Sequence, residues 1–272
     1  MTMLGEYEAG VFAVTGGATG IGFALAQRAA ELGLRPALLD VRKDAADEAV
    51  ELLRSVGASA VAYHCDVTDT ASLEEAAGQM AADGNVASIL WINAGVGTVG
   101  GFLGARLRDV EWVYAVNVLG AIHTARAFVP AMLERGGPTH VGLTASVAAV
   151  VPAEHVYGAS KHAVLAIGEA LRAELAEHGV GVTLLLPGHA QTRIWDGARA
   201  RPERFGGAAS MPEGFGEGWK IGLTPPEIAA AAFTTVADGG GYCVLLPGHE
   251  RQRLVKVDGR SKSIRDALTV VG

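Results

Sequence analysis

The stretch Val11-Phe12-Ala13-Val14-Thr15-Gly16-Gly17-Ala18-Thr19-Gly20-Ile21-Gly22 decides the fold. Its opening apolar run suits a strand covered on both faces. Glycines follow at once. Beyond them Ile21, Leu25, Ala29 and Leu32 recur at helical spacing until Gly33 stops the pattern. Strand, glycine turn and helix in that order make a phosphate site. Glycines let a ligand approach the backbone, and the helix start offers unpaired N–H groups and a positive dipole end. A tight turn with no ligand is the plain structural alternative.

Outward from this unit the alternation repeats. Ala37-Leu38-Leu39-Asp40 is a buried strand ending in a carboxylate, 18 positions beyond Gly22. That is close to the roughly 20 expected of an acid that holds an adenosine ribose, although a loop aspartate capping the next helix has the same look. Pattern predicts a helix over 45–55, a strand over 60–65 and, behind Asp66-Val67-Thr68-Asp69, a helix over 70–82 in which Ser72 and Glu75 have capping-box spacing. A strand over 88–92 releases Asn93-Ala94-Gly95. A helix carrying Asn117 runs to 133, and a strand over 140–144 precedes Ser146. Tyr157-Gly158-Ala159-Ser160-Lys161 opens a helix ending by Gly179, and a strand over 182–186 closes on Pro187-Gly188. After a glycine- and proline-rich segment, 188–223, come a helix from Pro225 or Pro226 to 237 and a strand over 242–246; the tail 249–272 is polar and mixed in charge. Buried strands alternating with helices predict an α/β fold: a single doubly wound parallel sheet, Rossmann-like, with helices on both faces. One domain over 1–272 accommodates it.

The 272 residues are 50% hydrophobic and 19% charged, with a net charge of −7. That balance argues against a nucleic-acid or anionic-membrane surface. Cys65 and Cys243 sit in apolar, strand-like runs, as buried thiols do in a reducing compartment. The first ten residues carry Glu6 and Glu8 and lack an apolar signal core. No run reaches the roughly 18 apolar residues of a membrane helix. The cytoplasm is the expected location. The eight histidines show no His-Glu-x-x-His pattern, and no Gly-x-Ser-x-Gly elbow is present, so no metal site and no hydrolase nucleophile is indicated.

Tyr157 and Lys161 stand four apart and so share one face of their helix. A free tyrosine ionises near ~10 and is a poor base at neutral pH. A cation at ~4 Å favours the phenolate by about 1 kcal/mol in water and about 4 kcal/mol near a protein surface. The pair therefore works as a proton-transfer device only in a partly dry site.

Taken together these segments resemble the short-chain dehydrogenase/reductase family over about 11–192. Thr15-Gly16-x-x-x-Gly20-x-Gly22 is similar to its cofactor loop, Asp66-Val67 to its adenine contact and Asn93-Ala94-Gly95 to its nicotinamide-ribose contact. Pro187-Gly188-x-x-x-Thr192 is similar to the segment that holds the carboxamide. The resemblance implies catalytic roles for Asn117, Ser146, Tyr157 and Lys161. It implies cofactor contacts at Gly16, Thr19, Gly20, Ile21, Gly22, Asp40, Val41, Arg42, Asp66, Val67, Asn93, Ala94, Gly95, Tyr157, Lys161, Pro187, Gly188, Ala190 and Thr192. By it, Asn117 holds a relay water and Lys161 the ribose hydroxyls; a backbone-bonded Asn117, and an Asn93 that supports the sheet, are the structural alternatives. Ser146 precedes Tyr157 by 11 positions, slightly fewer than the family usually has, which makes Thr144 a rival hydroxyl.

The expected activity is NAD-dependent interconversion of a secondary alcohol and a ketone by a homodimer or homotetramer. An NADPH-dependent ketone reductase and a catalytically silent cofactor-binding sensor are the alternatives. Ile194, Trp195, Phe205, Met211, Phe215 and Trp219 suggest that 188–223 is a lid over an apolar, aromatic or polycyclic substrate. Arg193, Arg199, Arg201 and Arg204 are expected on a solvated face, with an acidic substrate group as the alternative partner, and the tail is expected at the surface.

Overall fold

The computed structural model describes residues 3–98, 101–153, 155–209, 221–250 and 252–266. The strands are β1 (Val11–Thr15), β2 (Arg35–Asp40), β3 (Val61–His64), β4 (Ile89–Ile92), β5 (His140–Thr144), β6 (Gly181–Pro187) and β7 (Gly240–Leu245). The helices are α1 (Gly20–Glu31), α2 (Lys43–Ser55), α3 (Thr70–Ala82), α4 (Leu107–Tyr114), α5 (Gly120–Arg135), α6 (Val156–Leu175), α7 (Pro225–Ala237) and α8 (Gln252–Asp266). All pairings are parallel, in the order β3-β2-β1-β4-β5-β6-β7. Strand order reverses between β1 and β4, so a crevice opens beyond their carboxyl ends, where such sheets bind ligands.

Both faces of the sheet are covered, which is why its strands are apolar without alternation. One core layer packs residues such as Leu73, Phe128, Met132 and Val164, from α3, α5 and α6, on the sheet. The other gathers Leu25, Leu53, Ile228 and Phe233 from α1, α2 and α7. Trp91 on β4 is fully buried among the rings of Phe12 and Phe233. Its register partner on β5 is Gly142, where any Cβ would collide with the indole. A glycine inside a strand usually weakens it; here it makes room for the largest core side chain.

Four local expectations are corrected. The helix carrying Asn117 is not regular, because Ala115–Leu119 forms a π-helical turn between α4 and α5. The cap of α3 is Asp69, which accepts from Ala71 N, while the Ser72 hydroxyl accepts from Asp66 N. The described capping box lies instead at Thr224 and Glu227, opening α7. The tail is not featureless, since Gln252–Asp266 is helical. The continuous helical stretch Leu107–Arg135, 29 residues long, is apolar and long enough to cross a membrane, with 50% of its apolar window buried in the fold.

Candidate active site

The crevice is a cavity of about 850 Å³, within the range of small-molecule sites. Every candidate residue named from the sequence lines it except Gly22 and Asn117. Asp40 ends β2 and Ser146 follows β5, three strand spacings away in the sheet order, so the cleft spans roughly 14 Å between them.

At the β2 end the glycine loop is drawn tight. Gly16 and Gly20 have φ of +63° and +59°, a region that side chains disfavour. Gly22 is buried beneath the loop, where a Cβ would strike the Gly16 carbonyl. Asp40 is buried, and its carboxylate accepts from Ala18 N at 3.1 Å and Arg42 N at 3.0 Å, fixing the loop to β2. The Arg42 guanidinium lies 3.5 Å from Asp40 and donates to Thr19 Oγ1 at 3.0 Å. Asp66 Oδ1 accepts from Thr68 N and Oγ1, and Arg204 lies 3.6 Å from its other oxygen.

Across the middle, Thr15 Oγ1 accepts from the backbone N–H groups of Asn93 and Ala94. Asn93 donates to the carbonyls of Thr15 and Gly16 and accepts from Thr144 Oγ1, which in turn accepts from Trp91 Nε1. Asn93 therefore supports the sheet, and the rival hydroxyl of Thr144 is consumed in that network. Asn117 sits behind the wall rather than in it. It accepts from Val96 N at 2.8 Å and donates to Val96 O and Ser160 Oγ, at 3.0 Å each. The π-helical turn that carries it is a distortion often found at functional sites.

At the β5 end Ser146, Tyr157 and Lys161 meet. Ser146 Oγ accepts from Ala148 N and donates to the Pro187 carbonyl at 3.3 Å, and it lines the cleft together with Tyr157. Lys161, 2% exposed, donates to the Thr144 carbonyl at 2.8 Å and lies 5.8 Å from the Tyr157 ring centroid. Burial pushes the Lys161 ammonium down to about 8. Burial also pushes the Tyr157 phenol up to about 12, against opposing pulls from the Ser146 bond and the Arg253 charge. The Lys161 ammonium stands over the same phenol, 5.8 Å from its ring centroid. Both groups are desolvated together, and the offsetting charge comes from Arg253.

Arg253, His189 and Trp112, which no motif marks, also line the cleft. Glu250, buried, accepts from His189 N at 2.7 Å and pairs with Arg253 Nε at 2.8 Å. Of the arginines expected in solvent, Arg201 is buried, paired with Asp109 and stacked 4.3 Å from the Trp112 centroid. Arg193 and Arg199 pair with Asp196. The segment from Gly188 contributes His189, Ile194 and Pro202 to the cleft wall, while Phe205 packs against the core. Met211, Phe215, Trp219 and the Trp195 side chain lie outside the described residues.

The arrangement offers a glycine cradle and an acid at one end and a dry tyrosine, serine and lysine at the other. A dinucleotide fits both the cradle and the span. Comparison with known proteins agrees. The sequence profile of the short chain dehydrogenase family matches residues 10–203. A 1-deoxy-11-beta-hydroxypentalenate dehydrogenase of Streptomyces avermitilis is 40% identical over 188 residues, 68% of this chain and 70% of that one. A C alpha-dehydrogenase of a Sphingobium species is 29% identical over 250 residues, 89% and 82% of the two chains. The crystal structure of a short-chain dehydrogenase/reductase from Burkholderia phymatum in complex with NAD superposes with a TM-score of 0.86 at 31% identity, covering 98% of each chain. The chain belongs to the short-chain dehydrogenase family of oxidoreductases.

Proposed function

We propose that this chain interconverts a secondary alcohol and a ketone, with NAD as the hydride carrier and an apolar substrate. One observation carries the reading: Ser146, Tyr157 and Lys161 line the same cleft as the glycine loop and Asp40. When bound, NAD would supply the hydride acceptor for an alcohol and, reduced, the hydride donor for a ketone.

In reduction the Tyr157 hydroxyl gives its proton to the ketone oxygen; in oxidation its phenolate takes the alcohol proton. Burial favours the protonated phenol, the form that reduction uses. Ser146 orients the substrate oxygen by a hydrogen bond that strengthens as negative charge builds there. Lys161, fixed by the Thr144 carbonyl, is set to hold the ribose hydroxyls. Asn117 acts one layer back, by fixing Val96 and Ser160. Asp40 accepts from the adenosine ribose hydroxyls, and a 2′-phosphate would meet it as a like charge. A second reading, NADP use, rests on Arg42, whose guanidinium already stands beside Thr19 and Asp40.

The substrate side is read as a lid formed by 188–223, supported by Ile194 and Pro202 in the cleft wall. Homodimers or homotetramers are the proposed assembly, supported by the exposed Leu119 and Ile122 around the start of α5; light scattering checks it. Two buried, unpaired thiols, Cys65 and Cys243, support the cytoplasm as its compartment.

The direct test is NADH formation from NAD and a panel of secondary alcohols. Turnover is expected. NAD binding without turnover on a broad panel would favour the silent sensor.

A further inference from the structure

At the tyrosine end the cleft carries a cation with a purpose-built mount. Four cationic side chains line the cavity among the described residues: Arg42, Lys161, Arg193 and Arg253. Arg42 belongs to the ribose corner. Lys161 is fixed by the Thr144 carbonyl and assigned to the ribose hydroxyls. Arg193 is 77% exposed and pairs with Asp196 at the rim. Arg253 is different. It stands in the first turn of α8, its side chain 32% exposed, and its charge is felt at Tyr157.

Glu250 holds it from behind. That carboxylate is 4% exposed and does not line the cavity. Its Oε2 accepts from the His189 backbone N–H, and its Oε1 forms an ion pair with Arg253 Nε at 2.8 Å. His189 Nε2 adds a contact with Arg253 Nη2 at 3.3 Å; since a guanidinium only donates, the ring nitrogen accepts. A guanidinium carries about five donors, so these two contacts do not exhaust it. The mount is also sterically committed, because a Cβ at Gly188 would collide with Glu250 Oε2. An anion entering the cleft meets the guanidinium and not the carboxylate that holds it.

We propose that Arg253 is a specificity-determining residue that binds a carboxylate on the substrate, at the tyrosine end of the cleft. The proposal rests on the oxidoreductase reading for where the substrate lies. It makes that substrate a hydroxy or keto acid with an otherwise apolar body. A planar fork pairs with a planar carboxylate through two parallel hydrogen bonds, whereas an ammonium offers a point charge. The acid group would be bound away from the reacting carbon and would not take part in proton or hydride transfer.

The test is a binding measurement, so it does not depend on turnover. Calorimetry with saturating NAD compares 4-acetylbenzoate with its methyl ester on wild type, Arg253→Gln and Arg253→Lys. Wild type is expected to prefer the acid by at least ~10-fold in Kd. Arg253→Gln should bring the two constants within about 3-fold, and Arg253→Lys should fall between. If Arg253→Gln melts early, the Arg253→Lys ratio decides. An equal affinity of wild type for acid and ester, no binding of either, or a preference that survives both substitutions overturns the proposal. Failure of the oxidoreductase reading would appear separately, as absent NADH formation with the acid preference intact.

Discussion

The two ends of the cleft are built on different principles. The cofactor end, from Thr15 through Asp40 to Asn93, hangs on the carboxyl ends of three adjacent strands and on bonds between neighbouring strand ends and turns. The substrate end is assembled from distant pieces. Glu250 reaches back 61 positions to His189, and Arg201 reaches 92 positions to Asp109. A sheet places its turns wherever the sequence pattern places its strands. Long-range ion pairs obey no local period. The first end is therefore rigid by construction, and the second is held by a few charged contacts that single substitutions can loosen.

The largest expected effect concerns the sheet beneath the tyrosine end. His140 on β5 is fully buried and bonded to Thr183 Oγ1, and burial holds its ring down from the usual 6.5 to about 4. The folded state keeps the imidazole neutral while the unfolded chain takes a proton below about 6.5. This contribution is present above that value and lost as pH falls towards 4, about 3 kcal/mol in all. Urea midpoints at pH 6.5 and 4.5 should show that loss, and His140→Gln should remove most of it. An unchanged slope in the variant would mean that acid acts elsewhere, at carboxylates such as Asp109.

Next is the boundary between the two ends. Thr144 is engaged by Trp91 and Asn93, whereas Ser146 lines the cleft with Tyr157. Ser146→Ala should cost at least ~10-fold in turnover, low in the range for loss of an oxyanion-type donor. Thr144→Val should instead lower the melting temperature and spare turnover in the protein that remains folded. The reverse pattern would make Thr144 part of the site and not of the frame.

Smallest is the choice of cofactor. NAD should be preferred over NADP by at least ~10-fold in kcat/KM, about 1.4 kcal/mol. Asp40→Ala should narrow the gap. Because Asp40 also fixes Ala18 N, the variant should weaken both cofactors to some degree. A wild type that prefers NADP would hand the ribose corner to Arg42.

This contrast also explains what could be read from the chain alone. The parallel sheet, the glycine loop, Asp40 and the Ser146, Tyr157 and Lys161 set were legible because each is tied to a strand end or to helical spacing. Asn117 was placed on its helix, but the π-helical turn that carries it has no sequence period to betray it. Arg201 looked like any surface arginine, since nothing near it names Asp109 as its partner. The helix of the exposed tail was not legible for a related reason. Its residues are polar almost throughout, so α8 lacks an apolar stripe, and its attachment through Glu250 is a tertiary contact.

The reading as a whole turns on Tyr157 as the proton-transfer group of a cleft that still binds its cofactor without it. Tyr157→Phe keeps the ring and removes only the hydroxyl. The measurement pairs steady-state turnover with the NADH dissociation constant of the same preparation. The account expects at least a ~100-fold loss of turnover, the low end for general acid–base catalysis, with NADH affinity within about 3-fold of wild type. A variant that turns over within a few-fold of wild type would contradict it and remove Tyr157 from the mechanism.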